Sequence, residues 1–439
     1  MRLYHAKAYR AAPDPGNFWQ STVETPRPPP LAGDTVCEVA IIGAGVTGLN
    51  AALRLAELGI DCCILDATWP GWGASGRNGG FACLGGTKLS DAEVLKRFGT
   101  AQAQAFFKAQ AASIDHVAEM LETHAIDADK TGHGEYILAH RPRDFAAMPA
   151  EAAFLRRHRG IEAPVLSPEA LKERGLHSPA FHGGIHIPLG FGLNPLKYTL
   201  GLARAVQAAG VAIHADTPVE GRIRREHDGW HLRTPHGTVL ANKVLHATNG
   251  YTADGRNELA GWFLPVLSNI LVTRPLTDTE LADQGWRATE LTADTRHLLH
   301  YIRLLPDRRL LFGMRGGTDL SPRDEAAMRR TIRASFERIF PAWTHVETPY
   351  FWSGLAAVSR TMAAYVGALR QQNQFAALAY HGSGVAMGSW AGKQVANMIA
   401  GYGTNIPAPM RQRSRPFPLP RLRRHYLKAA YAWYGWQDR

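Results

Sequence analysis

Cysteine is nearly missing from these 439 residues: Cys37, Cys62, Cys63 and Cys83 are the whole complement, and no C-x-x-C pair is among them. A disulfide framework and a cysteine-ligated zinc site are thereby excluded, and a reducing compartment fits best. Long apolar runs are also missing. A membrane helix needs about 18 to 20 uncharged apolar residues, and the longest apolar stretch, 39–65, is interrupted by Arg54, Glu57 and Asp61. The opening MRLYHAKAYRAAPDPGNFWQ lacks the apolar centre of a secretory signal, so a cytoplasmic location is expected. No repeat at a fixed period is visible, which removes solenoids and propellers. The nineteen histidines show neither a Ser-His-Asp order nor metal-ligand spacing; His182 and His186 read as surface residues, and no metal is expected.

What is present is ordinary globular composition, 45% apolar and 20% charged, in a chain longer than one core usually serves. Two domains follow. The formal net charge of +11 is unevenly placed: 403–439 holds eight Lys/Arg against one acid, so +7 resides there. A body so nearly balanced predicts no nucleic-acid partner. The basic, aromatic tail reads as packing across its own body or a second subunit in preference to a membrane surface.

Residues 4–31 are rich in proline and aromatics without period and read as an extended arm anchored by Phe18 and Trp19. CEVAIIGAG then reads as a buried parallel strand, VTGLNAALRLAELGI as a helix and CCILDA as a second strand, the length of a βαβ unit. A helix is predicted over 91–124, with Phe98, Phe106, Ile114, Val117 and Leu121 facing a core, and others over 194–209, 324–340 and 386–401. Strand-like runs dominate between 211 and 316.

The strongest local signal is Gly43-Ala44-Gly45-Val46-Thr47-Gly48 after a strand and opening a helix, with Asp66 ending the next strand. Gly43 permits the tight turn, Gly45 lets backbone approach a pyrophosphate, and Gly48 lets helix and sheet pack closely. The phosphates meet a helix N-terminus, and Asp66 suits a ribose diol. The pattern predicts a dinucleotide and leaves FAD and NAD open; the acid disfavours NADP. A glycine-rich loop follows at 71–80, with Ser75, Arg77 and Asn78 as its polar groups.

Together, VAIIGAGVTG, GASGRNGG, ATNGYT (247–252) and HGSGVAMG (381–388) resemble the FAD-dependent amine and D-amino-acid oxidase superfamily, nearest to its γ-glutamylputrescine oxidase-like members. The resemblance implies an α/β fold: a Rossmann-like FAD domain from 36–90, 195–265 and 350–402, and a strand-rich substrate domain from 91–194 and 266–349, inserted between its segments. An arm (1–35) and a tail (403–439) flank them. It also implies that Gly43, Gly45, Val46, Thr47 and Gly48 hold the pyrophosphate and Asp66 the ribose. Ala74, Ser75, Arg77, Asn78 and Gly79 would continue towards the ring, Val219 would meet adenine, and Gly382, Ser383, Gly384 and Val385 would lie beside the isoalloxazine. A helix N-terminus there would stabilise the negative charge of reduced flavin. The last motif departs from the family pattern, its histidine standing two positions early at His381, and Ala364 replaces a common proline.

The implied chemistry is oxidation of a C–N bond of a small amine or amino acid to an imine that hydrolyses, with O2 or a carrier as electron acceptor. Tyr251, Tyr301, Arg303, Arg315 and His381 are the candidate substrate groups. Tyr301 and Arg303 are two apart and share one strand face; an arginine there suits a carboxylate. Cys83 reads as a small buried thiol in preference to a covalent flavin link. A dehydrogenase serving a quinone or carrier, and a non-catalytic flavin subunit of a complex, remain as alternatives.

Overall fold

The computed structural model of the chain describes residues 3–10, 14–252 and 258–438; the remaining residues of the arm, 253–257 and Arg439 lie outside the described residues. The βαβ unit forms as its apolar periods dictate. Thr35–Ile42 pairs in parallel with Cys62–Leu65, and Val39, Ala40 and Ile41 have no exposed surface. Helix Val46–Glu57 connects them. Ala212–His214, Gly237–His246 and Gln374–Leu378 extend this parallel sheet, and Tyr365–Ala368 closes one edge antiparallel.

Helix Gly384–Ile399 crosses helix Val46–Glu57 so closely that a Cβ on Gly392 would stand 2.3 Å from the Thr47 carbonyl. On the other side, a Cβ on Gly48 would meet the Gly43 carbonyl at 2.0 Å, with no flexible side chain to give way. Gly48→Ala is therefore expected to lower stability by about 3 kcal/mol, read as a shifted urea midpoint at unchanged slope.

Helix Asp91–Thr123 starts with a Ser90–Glu93 capping box and breaks at Gly99 (φ 74°). Its Phe106, Ile114, Val117 and Leu121 are buried in the same cluster as Leu49 and Val395. It therefore packs against helix Gly384–Ile399 and joins the core of the parallel-sheet domain, although the sequence placed the whole of 91–194 in the substrate domain. Helical period identifies a buried face without naming what buries it.

The second sheet is mixed and mostly antiparallel, in the order Tyr350–Ser359, Phe263–Val272, Leu310–Arg315, His300–Leu304, Leu291–Asp294, Glu135–Leu138, Gly184–Ile187, Val165–Leu166. Its first strand pairs over its full length with Phe263–Val272, so 350–359 belongs to this sheet, where the sequence had grouped it with the FAD segments. An apolar run suits either sheet equally. Helix Pro322–Ile339 buries Phe336 and Ile339 against this sheet's own core.

Both terminal segments lie on the body. Trp19 Nε1 donates to the Asn78 carbonyl at 2.9 Å and the Asn17 amide to that of Gly76 at 3.1 Å, so the arm is fastened to the glycine-rich loop. In the tail, helix Arg423–Gln437 buries Leu427 against Leu264 and Val266, Arg424 pairs with Asp319 at 2.7 Å, and Asp438 accepts from the backbone of His297 and Leu298. No helix among the described residues is long and apolar enough to cross a membrane.

Candidate active site

A cavity of about 740 Å3 runs from the early glycine turn to the second sheet. At its first end Gly43 adopts φ 110° and gives its N–H to the Leu65 carbonyl at 2.9 Å. Gly45, Val46 and Thr47 line the cavity where the helix opens; Gly48 lies outside it, in the helix–sheet contact. Asp66 Oδ2 accepts from Ala44 N–H at 2.7 Å, and Oδ1 from the N–H and hydroxyl of Thr68 at 2.8 and 2.9 Å. Burial raises its pKa against those three bonds. Val219 lines the same end beside Pro218 and Ile223.

The glycine-rich loop is held by its own polar groups. Asn78 donates to the carbonyls of Ala74 and Ser75 at 3.0 and 2.9 Å and accepts from Gly80 N–H at 2.7 Å, while Ser75 Oγ accepts from Val46 N–H at 3.0 Å. Ala74, Ser75, Asn78 and Gly79 all border the cavity. Arg77 borders it too, but its guanidinium is turned to the Trp72 carbonyl (2.8 Å), Asp14 and the Ser353 carbonyl (both 3.3 Å). That side chain clamps the loop between arm and second sheet, a correction to its expected place along the pyrophosphate.

At the late turn, Ala379 and His381 are left-handed (φ 65° and 56°), and helix Gly384–Ile399 begins with no side-chain cap from Ser383. Gly382, Ser383, Gly384 and Val385 border the cavity, so uncapped first-turn N–H groups stand at its wall. His381 itself does not. Its ring is buried, Nε2 meets Ser359 Oγ at 3.1 Å, and Nδ1 has no hydrogen-bond partner. Burial pulls its pKa down to about 3, so it is a neutral core histidine and not a substrate group.

The second sheet separates the other candidates. Tyr251 borders the cavity edge-on to Trp72, with ring centroids 5.1 Å apart. Tyr301 borders it with its hydroxyl 2.8 Å from Ser268 Oγ. Arg303 shares that strand face as expected but lies behind the loop, donating to the carbonyls of Gly79 (2.8 Å), Gly80 (3.2 Å) and Leu193 (2.7 Å). It is 1% exposed and does not line the cavity, so it is a structural pin, not a carboxylate partner. Arg315 does line it, with Nη2 3.1 Å from the His381 carbonyl.

Among the cavity residues that escaped the sequence reading are two ionisable ones. Lys88 follows the glycine-rich loop, and Glu135 opens the strand Glu135–Leu138. The signal for the second was a lone acid heading the apolar run EYIL. Burial pushes Glu135 up to about 7 and raises the Cys83 thiol beside it, which keeps that thiol protonated and unreactive. Among the described residues one trio, Glu226, Asp228 and His231, has metal-ligand spacing; it sits on an outlying hairpin, away from the cavity.

A cavity lined by the N-termini of helices Val46–Glu57 and Gly384–Ile399, with Asp66 beyond the first, fits an adenine dinucleotide carrying a second ring system. Comparison with known proteins agrees. Residues 38–398 match the family model DAO, FAD dependent oxidoreductase. The chain is 32% identical over 380 residues to a probable oxidoreductase OrdL of Haemophilus influenzae, covering 85% of each chain. It is 28% identical over 406 residues to gamma-glutamylputrescine oxidoreductase of Escherichia coli, covering 92% of this chain and 93% of that one. Glycine oxidase from Geobacillus kaustophilus shares the fold, with a TM-score of 0.71 at 21% identity over 88% of this chain and all of that one. The chain therefore belongs to the DAO family of FAD-dependent oxidoreductases, and FAD is its cofactor.

Proposed function

We propose that this protein oxidises the C–N bond of a small amine or amino acid bearing a carboxylate, and that it acts as an oxidase. The observation that carries the reading is Arg315: a guanidinium facing the cavity at its second-sheet end, beside Tyr301. Bound FAD supplies the acceptor for a hydride equivalent, leaving an imine that water hydrolyses. The chain's own part is placement. Arg315 pairs with the substrate carboxylate, Tyr301 and Ser268 offer a hydroxyl pair, and the rings of Phe81, Trp72 and Tyr251 keep water away from the reacting bond. N–H groups at 382–385 favour the negative charge that reduction brings. The substrate range proposed is γ-glutamylated amines, N-methyl amino acids and D-amino acids, the first supported by the name of the E. coli relative.

Anaerobic addition of these compounds should bleach the yellow protein, and admitting air should restore the colour. Bleaching by NADH alone would overturn the amine reading, and slow recovery in air with fast recovery by a quinone would make the protein a dehydrogenase. On the same reading the two Asp66 oxygens accept the ribose hydroxyls. Asp66→Ala should weaken FAD binding about 100-fold through loss of charge-assisted hydrogen bonds; undiminished flavin content after gel filtration would remove that role.

A further inference from the structure

We propose that Lys88 is a second anion-binding group of the substrate compartment, so that the amine oxidised here carries an acidic group beyond the carboxylate paired by Arg315. The inference rests on the reading of Arg315 above and narrows it to amines with two acidic groups.

The Lys88 side chain lines the cavity and is exposed there, while the protein packed around it still desolvates the ammonium. Its backbone is fixed: the N–H donates to the Met362 carbonyl at 2.8 Å, and Thr87 forms a β-bridge with Ala363. Yet the ammonium makes no hydrogen bond and no ion pair with any of the described residues. Its charged surroundings are Arg315 and Glu135, with the Cys83 thiol beside them. Burial and the Arg315 charge pull Lys88 down to about 7. Beside Arg315, a protonated Lys88 is stabilised by an anion brought into the cavity.

Charge complementarity selects the class of ligand. This end of the cavity presents two cations, Lys88 and Arg315, and one acid, Glu135. A simple amino acid offers one carboxylate and leaves a cation unmatched; a diamine matches Glu135 alone and meets two like charges. An ammonium with two carboxylates matches all three groups. Among the substrates proposed above, this ranks acidic amino acids and their N-substituted forms over cationic amines.

The test uses unreactive ligands on the FAD-loaded protein. Acetate and propionate, then malonate, succinate and glutarate, are titrated while the flavin absorption band is followed. One of the dicarboxylates should bind about 10- to 100-fold more tightly than the monocarboxylates. Lys88→Met should abolish that preference and leave monocarboxylate affinity unchanged, and Lys88→Arg should restore part of it. Equal affinity for both classes in the parent would overturn the proposal. So would a Lys88→Met protein that keeps the preference but has an altered flavin spectrum, which would assign Lys88 to the cofactor. If dicarboxylate preference survives Arg315→Met while monocarboxylate binding is lost, both readings stand separately; if no carboxylate perturbs the flavin, the Arg315 reading falls and Lys88 with it.

Discussion

Arg315→Met is expected to lower the efficiency of flavin reduction by substrate roughly 100- to 1000-fold while leaving FAD content intact. The guanidinium lines the second-sheet end of the cavity and gives one N–H to the His381 carbonyl at 3.1 Å, which leaves its other donors for a ligand. A substrate carboxylate there exchanges water for charge-assisted bonds in a space with few competing solvent contacts, where such bonds are strongest. Loss of positioning should appear both in the substrate concentration needed and in the limiting rate, because the carboxylate contact sets where the C–N bond lies. Arg315→Lys keeps the charge but not the planar fork, and should recover only part of the loss. Anaerobic stopped-flow reduction checks this; a methionine variant reduced as fast as the parent would end the carboxylate assignment.

The neighbouring arginine should behave in the opposite way. Arg303→Met is expected to lower stability by about 3 kcal/mol, because the buried carbonyls of Gly79 and Leu193 lose this donor together and that of Gly80 keeps only the N–H of Leu193. Burial already pulls the guanidinium down to about 9, yet at neutral pH it stays charged and bonded. The three carbonyls belong to the glycine-rich loop and to the chain leading into helix Pro195–Ala208, so the pin ties the loop at the cavity wall to the scaffold behind it. Urea unfolding gives the stability change. The variant that remains folded should keep the parent's affinity for carboxylates; unchanged stability with weakened carboxylate binding would return Arg303 to the substrate.

These two arginines show how far the sequence reaches. Alternation correctly puts Tyr301 and Arg303 on one face of a strand, but not what covers that face. In the fold it is Gly79, Gly80 and Leu193, from distant segments, whose carbonyls occupy the guanidinium before any ligand can. His381 is a similar case. A glycine turn before a helix was legible, and that turn does border the cavity, yet the ring turns into the core towards Ser359. Arg77 stands in a loop whose glycine content announced a ligand, while its side chain answers to Asp14 in the arm.

By itself the sequence determined the βαβ unit, the two glycine turns, Asp66 and with them the dinucleotide cofactor. All of these are local: glycine is required where backbone must turn left-handed or approach closely, and apolar period is read within one element. The tertiary structure alone decided which elements share a core, that Asp91–Thr123 packs on helix Gly384–Ile399, and which charged side chains meet in the cavity. Lys88, Glu135 and Arg315 come from three separate segments, and an ionisable side chain acquires its chemistry from whatever else has been buried beside it.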